Sequence, residues 1–223
     1  MKKNLRSALA CAALAIAASP AMAQEAGTVA VKFGYNQIVP QVSSGDLSAP
    51  SLPGTKVDVK EAGAPILTLT YMYSSDVSFE LYAGLPYEHD IVGDGAIKGV
   101  GKIASVRQVS PTLFGQYRFL EKEATFRPYV GLGLTYVYHY HEEGSAALTA
   151  LTNPGGDPTL METDDAWGLS AQIGATFKID RNWFVDASFI KTYVKTTSHL
   201  STGQSIETKL DPMAYNLSIG YRF

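Results

Sequence analysis

The segment Met213-Ala214-Tyr215-Asn216-Leu217-Ser218-Ile219-Gly220-Tyr221-Arg222-Phe223 closes the chain in strict alternation. One face carries Met213, Tyr215, Leu217, Ile219, Tyr221 and Phe223; the other carries Ala214, Asn216, Ser218, Gly220 and Arg222. Successive side chains of a strand point to opposite faces, so the segment predicts a strand with one apolar side and one small or polar side. Roughly ten residues of this pattern match one bilayer crossing by a tilted strand. A final Phe behind alternating apolar positions also resembles the signal read by the bacterial barrel-assembly machinery, carried here by Tyr221 and Phe223.

The same parity recurs upstream. Strand seven sets Trp183, Val185, Ala187 and Phe189 against Phe184, Asp186, Ser188 and Ile190. Strand six sets Trp167, Leu169, Ile173, Phe177 and Ile179 against Gly168, Ser170, Gln172, Gly174, Thr176 and Lys178. Strand five has Pro128, Val130, Leu132, Leu134, Tyr136, Tyr138 and Tyr140 outward, with Arg127, Tyr129, Gly131, Gly133, Thr135, Val137, His139 and His141 inward. Strand four ends in Leu113, Gly115, Tyr117 and Phe119 against Thr112, Phe114, Gln116 and Arg118. Its first half, Ile103 to Val109, slips parity near Arg107 and predicts a bulge. Strand three sets Val77, Phe79, Leu81 and Leu85 against Ser78, Glu80, Tyr82 and Gly84. Strand two sets Leu67, Leu69, Tyr71 and Tyr73 against Thr68, Thr70 and Met72. Strand one sets Val29, Val31, Phe33 and Tyr35 against Ala30, Lys32, Gly34 and Asn36. The count is eight.

Connections support the count. Ser74–Asp76, Leu120–Thr125 and Asp180–Asn182 are short, whereas Gln37–Ala64, Glu88–Lys102, Glu142–Asp165 and Thr196–Lys209 are long. Strict alternation of long and short suits an antiparallel up-and-down transmembrane β-barrel with long external loops and short periplasmic turns. A soluble lipocalin-like barrel shares the strand number but turns its apolar face inward. Tyr138, Tyr140, Tyr215, Tyr221 and Phe223 sit near strand ends on the apolar face, as interfacial girdles do, and this favours the membrane form.

Residues 1–23 read as a cleaved secretory signal. Lys2, Lys3 and Arg6 give a basic start, Leu9–Ala18 an apolar run, and Ala21-Met22-Ala23 a small-x-small cleavage site. The apolar run is too short to cross a bilayer as a helix. The remaining chain, 24–223, is expected to be one barrel domain. Removing the signal lowers the basic count from 18 to 15 against 21 acidic residues, a net charge of about −6. That balance argues against nucleic acid, which wants clustered positive charge. Cys11, the single cysteine, lies inside the signal, so no mature thiol, disulfide or Cys-metal site is expected. A lipid-attachment reading of Cys11 wants Leu three residues earlier, where Ala8 stands. No stretch of 18 consecutive apolar residues follows the signal, leaving a closed barrel as the way to span the membrane.

The chain resembles the OmpW family of small outer-membrane proteins. The resemblance is carried by Leu67-Thr68-Leu69-Thr70-Tyr71-Met72, by Ile103-Ala104-Ser105-Val106 leading to Pro111-Thr112-Leu113, and by Phe126-Arg127-Pro128-Tyr129-Val130-Gly131. Asp165-Ala166-Trp167-Gly168, Arg181-Asn182-Trp183, Leu210-Asp211-Pro212 and Gly220-Tyr221-Arg222-Phe223 complete it, in order across nearly the whole mature chain. The first and third long connections depart most from the family pattern. The resemblance implies a bacterial outer-membrane barrel with a narrow, partly apolar lumen that helps small hydrophobic molecules across. An eight-stranded bore is filled by side chains or holds one small ligand, so a wide aqueous pore is not expected.

Inward parity predicts a lumen charge network of Lys32, Glu80, Arg118, Arg127, Lys178, Asp186 and Arg222. Buried charges are usually paired, and the alternative is a polar gate. Tyr82 and Ile190 are bulky among smaller inward neighbours and are candidates for a lumen constriction, with ordinary packing as the plain alternative. The family resemblance adds that members narrow their channel with large apolar side chains at corresponding places. Phe114, Tyr129 and Val137 are expected to line the upper lumen. His139 and His141, beside Glu142 and Glu143, sit at the i, i+2 spacing of one inner face, yet no recognised metal spacing is matched, and no metal or cofactor is expected. His139, His141, Ser145 and Asp164 offer the residue types of a rim hydrolase, but no Ser has a nucleophile motif around it, so no enzyme is expected. The functional expectation is a monomeric barrel, surrounded by outer-membrane lipid, giving small hydrophobic solutes a passive route. The alternative is a structural or adhesive barrel whose external loops bind a partner, with Glu142–Asp165 as the candidate surface.

Overall fold

A computed structural model describes residues 26–223; the expected signal at 1–23 lies outside them. In chain order the strands are β1 (Val29–Val39), β2 (Ser43–Ser44), β3 (Thr55–Val59), β4 (Ala62–Met72), β5 (Val77–Gly84), β6 (Tyr87–Gly95), β7 (Lys102–Val109) and β8 (Thr112–Arg118). They continue as β9 (Phe126–Gly144), the helix α1 (Ala146–Thr152), β10 (Met161–Thr163), β11 (Ala166–Lys178), β12 (Trp183–Tyr193), β13 (Lys195–Leu200), β14 (Ser205–Lys209) and β15 (Met213–Arg222).

Eight of these strands close a barrel in the order β11-β12-β15-β1-β4-β5-β8-β9, and β9 pairs back onto β11. All pairings are antiparallel, with Ala30 opposite Arg222 at one seam and Trp167 opposite Tyr136 at another. Closure is what lipid demands, because an open edge would leave backbone donors and acceptors without partners. The eight strands match the eight read from alternation.

Exposure settles which face is outside. Leu132, Trp167, Leu169 and Leu217 on the apolar parity are each more than 60% exposed, whereas Lys32, Glu80, Asp186 and Gln172 on the other parity are at most 3% exposed. A soluble barrel has the reverse arrangement. Aromatic side chains form two belts. Trp183–Tyr221–Phe223 and Phe126–Phe177 contact one another at the end bearing the short turns, and Tyr136–Trp167 and Phe189–Tyr215 do so at the other. Amphipathic rings at these two heights mark the two interfaces of an apolar band.

The long connections are folded, which alternation had not predicted. Beyond the barrel rim β9 continues through Gly144 and pairs with β7, which pairs with β6, which pairs with β3. A second small sheet, β10-β13-β14-β2, lines the same cavity as this extension. Ile103–Val109 is therefore not the first half of barrel strand four: Ser110 and Pro111 interrupt the chain, and Thr112 starts a new strand. Proline has no N–H for a ladder, and it marks the break. The expected irregularity near Arg107 is present as a register shift between Ser105 and Arg107 against β9.

That shift overturns one expectation. His141 has φ of +52° and is exposed, while His139 is 7% exposed and points inward. An extra residue in a bulge flips the side chains beyond it, so the two histidines do not share a face.

Lipid contact along the outer wall is testable. Leu132→Arg sets a charge on the apolar band and is expected to destabilise the barrel by about 2–4 kcal/mol, read from urea unfolding in phospholipid vesicles.

Candidate functional site

The bore is built from its periplasmic end upward. There Lys32 Nζ sits 2.7 Å from Glu80 Oε2 and 3.0 Å from Asp186 Oδ1, joining β1, β5 and β12 across the lumen. Tyr129 Oη donates to Asp186 Oδ1 at 3.0 Å, and Thr70 Oγ1 donates to Glu80 Oε2 at 2.8 Å. Arg118 lies 4.7 Å over the Tyr129 ring and donates to Ser78 Oγ and Gln116 Oε1. Two cations against two carboxylates leave this cluster near neutrality, as burial requires.

Arg127 leaves the expected network for the turn below, where Nη2 bonds Ser75 O at 2.6 Å and Asp76 Oδ1 at 3.0 Å. Arg222 stacks 4.5 Å over the Phe184 ring. Lys178 shares the inner parity but stays half-buried at the end of β11, apart from the cluster. Lys32, Glu80 and Asp186, with Arg118 beside them, are thus the central members of the expected set.

Above the charges lies an apolar layer. Tyr82, Ile190 and Phe114 belong to one cluster with Ile38, Ile66 and Ala214, so the two candidate constriction residues share one apolar layer. Tyr82 Oη donates to Asn216 Oδ1 at 2.7 Å, and Asn36 Nδ2 donates to Tyr87 Oη at 2.8 Å. These bonds pin the phenols where burial would otherwise penalise them.

Two of the three residues expected to line the upper lumen sit elsewhere. Val137 does line a cavity, but Phe114 and Tyr129 are 0% and 1% exposed and fill the bore deeper down. Their seats are glycines. A Cβ on Gly133 would meet the Phe114 ring at 2.6 Å, and one on Gly174 would meet the Tyr129 ring at 2.5 Å. The inner glycines therefore do not leave the lumen empty; they let large rings lie flat against the wall.

Above the apolar layer the bore opens. A cavity of about 50 Å³ is lined by Tyr82, Gln108, Ser110, Thr112, Val137 and Ile190 among others. A larger one of about 150 Å³ lies higher, walled by Ile91, Ile97, Ile103, Leu148, Met161 and Leu200. Ile38, Gln108, Leu210 and Pro212 line both, so the two adjoin. The larger cavity draws its walls from all four long connections, and sequence alternation carried no signal for it, because contacts between connections are invisible to strand parity.

Three polar side chains mark the lower end of this cavity. His89 Nδ1 lies 2.7 Å from Lys60 O, and His139 Nδ1 lies 3.1 Å from Asp164 O. A carbonyl only accepts, so both Nδ1 atoms carry the proton and both Nε2 atoms present lone pairs. Burial pushes the His89 imidazole below its ordinary pKa, against the pull of the Lys60 carbonyl, and keeps it neutral. Gln108 stands between them at the neck. Among the described residues no group of three His, Cys, Asp or Glu side chains is disposed to hold a metal. The rim residues that a hydrolase would use are otherwise engaged. Ser145 caps α1 by accepting from Leu148 N and donates to Lys102 O, and Asp164 lies 3.3 Å from His199.

Removing the central cation tests the lower seal. Lys32→Met leaves Glu80 and Asp186 buried without it and is expected to cost about 3–5 kcal/mol of stability. Lys32→Met combined with Asp186→Asn, which leaves Arg118 against Glu80, is expected to recover most of that loss. Denaturant midpoints of the refolded barrels in vesicles measure both.

The comparisons with known proteins agree with this architecture. Outer membrane protein W of Vibrio cholerae is 30% identical over 215 residues, covering 94% of each chain. Outer membrane protein W of Escherichia coli K12 is 31% identical over 229 residues and covers both chains fully. The crystal structure of the outer membrane protein OprG from Pseudomonas aeruginosa superimposes with a TM-score of 0.81 at 26% identity, covering 91% of this chain and 99% of that one. The model of the OmpW family matches residues 25–223, and the chain belongs to that family of outer-membrane β-barrels.

Proposed function

We propose that the barrel admits small hydrophobic molecules from outside through the upper cavity and gives them a passive, non-enzymatic route into the outer membrane, as a monomer. The observation that carries this reading is the vertical contrast inside one bore. Two adjoining cavities with mostly apolar surfaces, the upper one the more aliphatic, stand over a lower half packed with Tyr82, Ile190, Phe114 and the Lys32 charge cluster. An apolar guest gains by leaving water for such walls, at roughly 25 cal/mol per Å² of apolar surface covered. It gains nothing by entering the charged layer, where it would separate paired ions. Membership of the OmpW family supports the same reading.

A sideways exit follows from the wall beside the lower cavity. The β5–β8 ladder ends at Tyr82 opposite Thr112, and the β6–β7 ladder begins at Tyr87 opposite Gln108. Between them stand residues 83–86 on one side and 109–111 on the other, with Pro86 and Pro111 in the gap. Tyr82, Tyr87, Gln108, Ser110 and Thr112 line the cavity behind this seam. A solute there is nearer to lipid than to the periplasm, and Tyr82 with Ile190 forms the floor that turns it aside.

Flux of a radiolabelled apolar solute into vesicles carrying the refolded barrel is the test. Ser110→Trp fills the cavity at the seam and is expected to cut flux severalfold with folding intact. Tyr82→Ala with Ile190→Ala is expected to change uptake by enlarging the cavity floor; unchanged uptake removes the pair from the mechanism. Flux no faster than through protein-free vesicles would leave the structural or adhesive reading of the loops in its place.

A further inference from the structure

The upper cavity presents mostly apolar surface with a scatter of Thr and Ser hydroxyls, and its lower end carries three larger polar side chains. His89, Gln108 and His139 are 2%, 8% and 7% exposed. Each histidine spends its Nδ1 proton on a backbone carbonyl, at Lys60 and Asp164 respectively. Among the described residues neither Nε2 nor the Gln108 amide has a hydrogen-bond partner, and the His89 Nε2 is fully buried without one. A buried polar atom without a partner costs on the order of 1–3 kcal/mol, so His89 Nε2, with the unpartnered Gln108 amide and His139 Nε2 at the same end of a mostly apolar chamber, calls for a guest that offers polar bonds there.

We propose that one imidazole of this group together with the Gln108 amide, His139 being the imidazole across from Gln108, recognises a hydroxyl group on an otherwise apolar molecule, an alcohol or a phenol, which makes the upper cavity selective for singly oxygenated hydrocarbons over plain ones. The inference rests on the reading of the cavity as a site for hydrophobic solutes and narrows its substrate class. The chemistry follows from what each side chain has left to offer. A carbonyl-anchored imidazole presents an acceptor lone pair and nothing else, so it selects a donor. The amide of Gln108 donates and accepts, so it completes the bonding of the same oxygen. A hydroxyl is the smallest group that donates once and accepts once. A carboxylate lacks the donor, and an ammonium lacks the acceptor. A metal ion is a poorer fit, because two imidazoles have no third His, Cys, Asp or Glu grouped with them among the described residues.

Size agrees. The cavity measures about 150 Å³, and an apolar cavity of roughly 150 Å³ takes up benzene. A six- to eight-carbon skeleton with its hydroxyl toward Gln108 and His139 sets its ring or chain among Ile91, Ile103 and Leu148.

The isosteric pair p-cresol and p-xylene tests this, since a hydroxyl replaces a methyl at nearly constant volume. Binding to the full mature chain in detergent micelles is measured by titration calorimetry, and ¹⁵N NMR follows the imidazole Nε2 signals of His89 and His139. In the wild-type barrel p-cresol is expected to shift an Nε2 resonance in the direction of an accepted hydrogen bond, and p-xylene to leave both in place. His139→Phe and Gln108→Leu are each expected to weaken p-cresol by about three- to tenfold relative to p-xylene, the worth of one hydrogen bond. Taking the ratio of the two ligands cancels their different partition into the micelle. Retained p-xylene binding and heat-modifiable gel mobility confirm that a variant is folded. If both ligands bind but neither moves an Nε2 signal, and the variants leave their ratio unchanged, the hydroxyl selectivity is wrong while the hydrophobic cavity stands. If neither ligand binds the wild-type barrel, the cavity reading fails and the selectivity with it.

Discussion

A polypeptide surrounded by hydrocarbon has no water to complete its backbone hydrogen bonds, and every other property of this molecule is arranged around that constraint. Eight strands meet the requirement by pairing in a ring, from β1 against β15 and β4 round to β9 against β11. Closure of so few strands leaves a bore of side-chain width. Everything polar that the inward parity brings must then be neutralised locally, and Lys32 set between Glu80 and Asp186 is the result. The apolar layer of Tyr82, Ile190 and Phe114 above it follows from the same narrowness, since few other side chains fit.

Outside the hydrocarbon the constraint relaxes, and the chain behaves differently. Water is at hand, so strands need not close, and β3, β6 and β7 form an open extension of the barrel wall. The proline-marked breaks at Pro86 and Pro111 fall where one regime gives way to the other. A chamber with aliphatic walls and a few buried polar groups is assembled there by pieces far apart in sequence: His89 on β6, Leu148 on α1, Leu200 on β13.

The division between what sequence discloses and what it hides falls along the same line. Alternation is local, and it identified all eight spanning strands, the face each turns to lipid and the inward position of Lys32, Glu80 and Asp186. It was blind to depth, because parity says only in or out; Phe114 and Tyr129 are inward as expected, but Phe114 belongs to the apolar layer under the cavities and Tyr129 to the charged layer below it. It was equally blind to the purpose of Gly133 and Gly174, whose missing side chains matter only because of the rings paired with them on the neighbouring strand. The bulge near Arg107 was legible as a parity slip, yet its effect on strand β9, turning His141 outward, belongs to the neighbouring strand and was not.

The nineteen residues of β9 carry a last implication. At about 3.3 Å per residue the strand runs some 60 Å, and inclined at roughly 40° it climbs about 45 Å. The hydrocarbon slab is only about 30 Å deep. Its upper portion, with β7 beside it, therefore rises beyond the hydrocarbon on the outer side and lifts the walls of the upper cavity out of the bilayer core.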